Sequence, residues 1–149
     1  MHNRWFFLKI LLGLFLILFV ILYPMLISIY VFLPLFIGFA GWSLVRGIDG
    51  EGWGYILFPL IYLTNLEINL SLPLMMVVFA TLLYYLTLYR HVLVLKKCRV
   101  CVAVLSVVWI DLYYLGALVA YDLLMDTSSI VIDKLLWYSL LADIFMAVL

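Results

Sequence analysis

Long apolar runs dominate the chain, broken at a few places by helix-disrupting or charged residues. Six runs read as membrane segments, because about 20 apolar residues in helical form cross a hydrocarbon layer roughly 30 Å thick. The first covers Trp5 to Tyr23 and the second Met25 to Trp42, with a turn at Pro24 between them. One helix across both would be too long, and proline disfavours helical geometry in the residue before it. The third begins at Gly54 and is helical to about Thr64. Beyond it Asn65, Glu67, Asn69 and Ser71 alternate with apolar residues. Period-two polarity does not suit a lipid-facing helix, so an extended or broken connector is expected, buried in protein or at the outer surface. The fourth segment opens at Pro73, a residue suited to a first helical turn, and continues to about Leu95. The fifth spans Cys101 to Leu124 and the sixth Leu135 to Leu149. That last run measures about 22 Å as a helix, short for a crossing, so it must tilt, sit in a thinned region or continue in a partner.

Composition excludes a soluble reading. With 70% hydrophobic and 11% charged residues and a mean hydropathy of +1.35, too little polar surface exists to cover a globule. No hydrophilic linker, low-complexity tract or internal repeat divides residues 1–149, which predicts a single polytopic domain. The expected fold is an all-α integral membrane protein, a bundle of about six transmembrane helices with the third short and broken.

Charge sets the orientation. Arg4 and Lys9 precede the first segment, Arg46 lies between the second and third, and Arg90, Lys96, Lys97 and Arg99 cluster between the fourth and fifth. These regions share one side, which the positive-inside rule makes cytoplasmic. The opposite side receives the Pro24 turn, the Glu67 connector and the loop with Asp122, Asp126, Asp133 and Lys134. Six crossings then put both termini inside. Trp5, Trp42, Trp53 and Trp137 fall at segment ends, where indole prefers the headgroup region. Arg4 and Lys9 ahead of an apolar run resemble a secretory signal, but the run exits into Tyr23, Pro24, Met25 and Leu26 without a small-residue cleavage site, so a retained first helix is expected. A net charge of zero gives no hint of nucleic acid. Membrane lipids and other integral membrane proteins are the partners to expect.

The residues able to carry chemistry are few. Asp111 and Asp143 lie in the fifth and sixth segments, antiparallel neighbours, at similar depth near the midplane. Isolated carboxylates there are costly, and with no Lys or Arg nearby in those segments they are protonated or held by hydrogen bonds. They form either a proton or cation site or an interhelical polar contact, with Ser106, Tyr113 and Tyr114 the nearby polar candidates. Cys98 and Cys101 have the spacing of thiol oxidoreductases and of half a zinc site. With only His2 and His91 besides, structural zinc lacks ligands. The motif lies on the reducing side without a second cysteine pair, so two reduced, inert thiols are expected. Gly47 to Gly54 is glycine-rich but fits neither a phosphate loop nor a calcium loop, and reads as a flexible turn. The basic group Arg90, Lys96, Lys97 and Arg99 could touch anionic lipid or a partner, although topology alone demands it. Gly38 with Gly41, and Gly116 with Ala120, would permit close helix approach. No catalytic, cofactor-binding or metal-ligating set emerges.

The run Gly54-Tyr55-Ile56-Leu57 through Leu63-Thr64-Asn65-Leu66-Glu67-Ile68-Asn69-Leu70-Ser71-Leu72-Pro73-Leu74, and the tail Leu140-Leu141-Ala142-Asp143-Ile144-Phe145, resemble the third helix, the following connector and the last helix of the rod-shape-determining membrane protein MreD family. The resemblance covers roughly Gly54 to Leu149. It implies a six-helix fold like that of the substrate-binding subunits of vitamin transporters. It also implies a non-enzymatic scaffold role in bacterial cell-wall elongation, in the inner membrane, beside the bitopic partner MreC, with Asn65, Glu67 and Asn69 on the outer connector where a partner would touch. The alternative is a small transport or ion-translocating subunit using Asp111 and Asp143, with Glu67 at an outward mouth. A thiol-redox enzyme is a third class, for which Cys98 would be essential.

Overall fold

A computed structural model describes residues 2–30, 33–95, 98–125 and 134–149. The chain is all-helical, with no strand among the described residues. Among the described residues seven α-helices follow in order: α1 (His2–Ile29), α2 (Ile37–Arg46), α3 (Gly54–Asn69), α4 (Met76–Thr87), α5 (Tyr89–Val92), α6 (Arg99–Met125) and α7 (Lys134–Val148). Short α2 occupies the centre and packs against α3, α4, α6 and α7, whereas among the described helices α1 packs on α3 alone. Among the described residues two helices, α1 and α6, are long and apolar enough to cross a membrane.

The first departure from expectation is at Pro24, which lies inside α1 rather than at a turn. Proline has no N–H, so the carbonyl of Val20 loses its helical donor. Asn65 of α3 replaces it: its Nδ2 donates to the carbonyls of Val20 at 3.4 Å and Ile21 at 2.9 Å. Asn69 Nδ2 donates in turn to Asn65 Oδ1 at 2.8 Å, which holds that amide in orientation. A neighbouring donor of this kind is one way a helix accommodates an interior proline. The chain therefore turns beyond Ile29, and the second apolar run yields an irregular stretch followed by only ten helical residues.

A second correction concerns the third run, whose helix is unbroken from Gly54 to Asn69 and includes the polar residues assigned to a connector. Asn65 and Asn69, four apart, share the face toward α1. Glu67, about 200° from Asn65 around the helix, turns to α4. There its carboxylate, with Glu67 fully buried, accepts from the backbone N–H groups of Met75 at 2.5 Å and Val77 at 2.9 Å. These are orphan donors at the start of α4, which any buried helix N-terminus must pair. The link between α3 and α4 is tight enough to hold Ser71 and Met75 at φ 53° and 65°. That geometry delays α4 to Met76, three residues past the expected start at Pro73.

The fourth run, expected to continue to about Leu95, is divided: α4 ends at Thr87, α5 covers Tyr89–Val92 and a 3₁₀ turn Leu93–Leu95 follows. The α6 and α7 boundaries lie within a residue or two of expectation. One apolar cluster joins Val20, Ile27, Leu63, Leu66, Val77 and Leu118, and another joins Val45, Tyr84, Tyr89, Val92, Val102 and Ile110. A Cβ on Gly41 would lie 2.7 Å from Ile110 Cγ2, so glycine sets the approach of α2 to α6. Gly116 plays no such part: it is exposed, and a Cβ there would meet nothing within 4 Å. The stretch after α2 is not a free turn. Arg46 pairs with Glu51 at 2.5 Å and lies 5.0 Å from the Tyr55 ring centroid. Tyr85 and Tyr89 donate their hydroxyls to Asp49. Cys98 and Cys101 are joined as a disulfide rather than standing as two reduced thiols.

Candidate functional site

The site grows from a backbone problem. Residues 33–36 are not helical, Phe36 sits at φ 49°, and the first N–H groups of α2 lie in the interior. Backbone left unpaired there would cost about 1–3 kcal/mol per group. Three other helices supply partners. Tyr23 of α1 donates its hydroxyl to the Pro34 carbonyl at 2.9 Å, and Tyr62 of α3 donates to the Leu35 carbonyl at 2.8 Å. From α7, Ser139 Oγ accepts the Leu35 N–H at 3.1 Å, and Asp143 Oδ2 accepts the Gly38 N–H at 3.1 Å. The negative end of a carboxylate at a helix N-terminus also matches the α2 dipole.

Asp111 arrives from α6 at the same residue. A Cβ on Gly38 would lie 2.7 and 2.8 Å from its two carboxylate oxygens, so only glycine admits this carboxyl against the helix tip. The structure thus brings Asp111 and Asp143 together on Gly38, with 8% and 1% of their surfaces exposed. Of the polar residues expected nearby, Tyr114 belongs to the cluster. Ser106 instead accepts the Tyr84 hydroxyl at 2.7 Å, and Tyr113 pairs with Thr87 on an exposed face. Three oxygens in this interior have no hydrogen-bond partner: Asp111 Oδ2, Asp143 Oδ1 and Tyr114 Oη. Beside them lies a cavity of about 40 Å³ bordered by Leu35, Ile37, Asp111, Tyr114, Ser139 and Leu140, among others.

The remaining candidates are dispersed. Glu67 and Asn65 serve α4 and α1 as described, and Asn69 steadies Asn65, so these three polar side chains are directed at neighbouring helices. Arg90 is exposed on α5, and Arg99 is exposed at the start of α6. Lys96 and Lys97 lie outside the described residues. Arg99 and Arg46 border a wide cleft of about 890 Å³ together with Trp42, Tyr55, Asp49 and the end of α7. Among the described residues, no group of three His, Cys, Asp or Glu is placed to hold a metal ion.

Sequence reasoning missed Gly38 as an amide donor, along with Ser139, Tyr23 and Tyr62. A signal existed for Ser139: it stands four residues before Asp143 in an otherwise apolar run, and such a pair shares one helix face. Chemically, the site can hold a helix tip in place, keep a proton, or ligate a small cation. Comparison of the chain with protein-family models, curated proteins and solved structures finds no match.

Proposed function

We propose that this chain is a multi-pass protein of the bacterial inner membrane and a non-enzymatic scaffold subunit of the cell-wall elongation machinery, in the manner of the MreD family it resembles. In this reading it crosses six times with both ends of the sequence cytoplasmic. The second and fourth crossings combine irregular backbone with a short helix, since the ten residues of α2 span only about 15 Å. The pairing of residues 33–38 by side chains from α1, α3 and α7 supports this, because non-helical backbone at membrane depth survives only when buried in protein.

The scaffold role rests on α1. It is a 28-residue helix with exposed apolar side chains along its length, including Trp5, Phe7, Leu11, Phe15 and Ile29, and among the described helices it packs on α3 alone. Such a rod offers lipid or a single-helix partner, of the MreC type, a continuous apolar face. Buried Glu67 and Asp143, meanwhile, are engaged in capping α4 and α2. Crosslinking in native membranes, mild detergent extraction and mass spectrometry tests the proposal. Stoichiometric recovery of a bitopic partner or of cell-wall synthases is expected; recovery of the chain alone, or with ATPase or ion-motor subunits, refutes it.

The three unpartnered oxygens at the α2 tip favour a second reading, an ion-translocating subunit. Asp111→Asn and Asp143→Asn separate the two. A scaffold keeps complex assembly and cell-shape activity in these uncharged mimics, whereas a translocating subunit loses turnover.

A further inference from the structure

The wide cleft at the Arg46 end of α2 changes character along its length. Phe39, Trp42, Ser43 and Arg46 stand three or four apart along one face of α2, and all border the cleft. They pass from apolar to charged over about 10 Å. The start of α6 repeats the gradient, with Arg99 exposed at the mouth and Val102 and Ala103 buried behind it, and Met146 on the last turn of α7 adds a third apolar wall. The four charged side chains at the border do not all cancel. Arg46 pairs with Glu51. Asp49 accepts from the Tyr85 and Tyr89 hydroxyls, neutral donors that leave its charge in place, and among the described residues no cation lies within ion-pair distance of it. Arg99 makes no ion pair among them either. The mouth therefore presents one unpaired guanidinium and one carboxylate without a counter-charge, and the floor beneath is apolar.

We infer that this cleft holds one zwitterionic phospholipid of the ethanolamine class, its phosphate on Arg99, its ammonium on Asp49 and its upper acyl chains against Phe39, Trp42 and Met146. Such a site presupposes the membrane location proposed above and adds a specific ligand to it. Charge complementarity selects the class. Guanidinium–phosphate and ammonium–carboxylate contacts are both charge-assisted hydrogen bonds, the strong kind. An anionic headgroup would satisfy Arg99 but bring no cation to Asp49. A nucleotide polyphosphate needs more than one unpaired cation and makes no use of the apolar floor. The space, about 890 Å³, lies within the roughly 300–1,000 Å³ of small-molecule pockets, and the lower acyl chains extend from it into the bilayer. Bound there, the lipid would tie the ends of α2, α6 and α7 together at one membrane surface, a role independent of which partner the scaffold recruits.

Native mass spectrometry of the full chain tests the site, after extraction from membranes in mild detergent and incubation with equal moles of phosphatidylethanolamine and phosphatidylglycerol. One phosphatidylethanolamine should stay on each chain once the remaining lipid is stripped. Arg99→Gln should lower that occupancy about tenfold, the loss of one charge-assisted contact. Asp49→Asn should abolish the preference over phosphatidylglycerol. Arg90→Gln, exposed on α5 and outside the cleft, should change neither. Equal retention of the two lipids by the wild-type chain, or phosphatidylethanolamine retention unchanged in Arg99→Gln and Asp49→Asn, overturns the site and leaves only annular lipid. A chain that alkaline carbonate releases from membranes refutes the membrane reading and the site with it. A chain that stays embedded yet holds no ethanolamine lipid refutes the site alone.

Discussion

The Asn65 amide can be tested as a surrogate for the hydrogen bond that Pro24 cannot make. In the wild-type chain Asn65 Nδ2 serves the Val20 and Ile21 carbonyls. Asn65→Ala removes this donor and strands the Val20 carbonyl, at a cost of about 1–3 kcal/mol. Pro24→Ala restores the backbone N–H and with it the helical bond to Val20. In a chain already carrying Pro24→Ala, the loss of Asn65 therefore forfeits only the Ile21 contact and some packing, about 0.5–1 kcal/mol. A double-mutant cycle should give a coupling near 1 kcal/mol, with the asparagine mattering more when proline is present. Pro24→Ala should itself be tolerated, since alanine is favoured over proline in a helix interior by about 3 kcal/mol. Reversible unfolding of the four variants in mixed micelles, titrated with denaturing detergent, measures the terms. Equal costs of Asn65→Ala in both backgrounds, within about 0.3 kcal/mol, would refute the surrogate-donor account.

Two further outcomes follow from the same geometry. Glu67→Ala should destabilise by about 2–4 kcal/mol, because it leaves the N–H groups of Met75 and Val77 unpaired; Glu67→Gln should cost about half as much, and amide exchange at Met75 and Val77 reports both. Gly38→Ala should cost about 1–3 kcal/mol by pressing on the Asp111 carboxyl, whereas Gly116→Ala, with open space beside it, should stabilise by about 0.5–1 kcal/mol; a pair of equal unfolding midpoints would contradict the close-packed tip.

What could be read from the residues was whatever depends on apolar length. The spans of α6 and α7 are visible as uninterrupted runs, and the similar depth of Asp111 and Asp143 follows from counting along them. Pro24 was misleading because its effect depends on a donor 41 positions away: residue-by-residue reading sees the missing N–H at Pro24 but not Asn65 filling the gap. The alternation Asn65, Glu67, Asn69 misled for a related reason. A helix between two irregular neighbours must present polar groups on two faces, and two faces about 200° apart imitate a strand's period. Gly38 is hardest to see, since nothing in a glycine announces that a carboxyl from α6 and another from α7 will rest on it.

The hydrogen bonds that seat the start of α2 join residues 104 and 105 positions apart. During synthesis the amides of Leu35 and Gly38 therefore emerge long before Ser139 and Asp143 exist to receive them. Contacts so distant in sequence form late and slowly. Until α7 is made, the start of α2 has the Tyr23 and Tyr62 hydroxyls on its preceding carbonyls but not the two side chains that accept its Leu35 and Gly38 N–H groups.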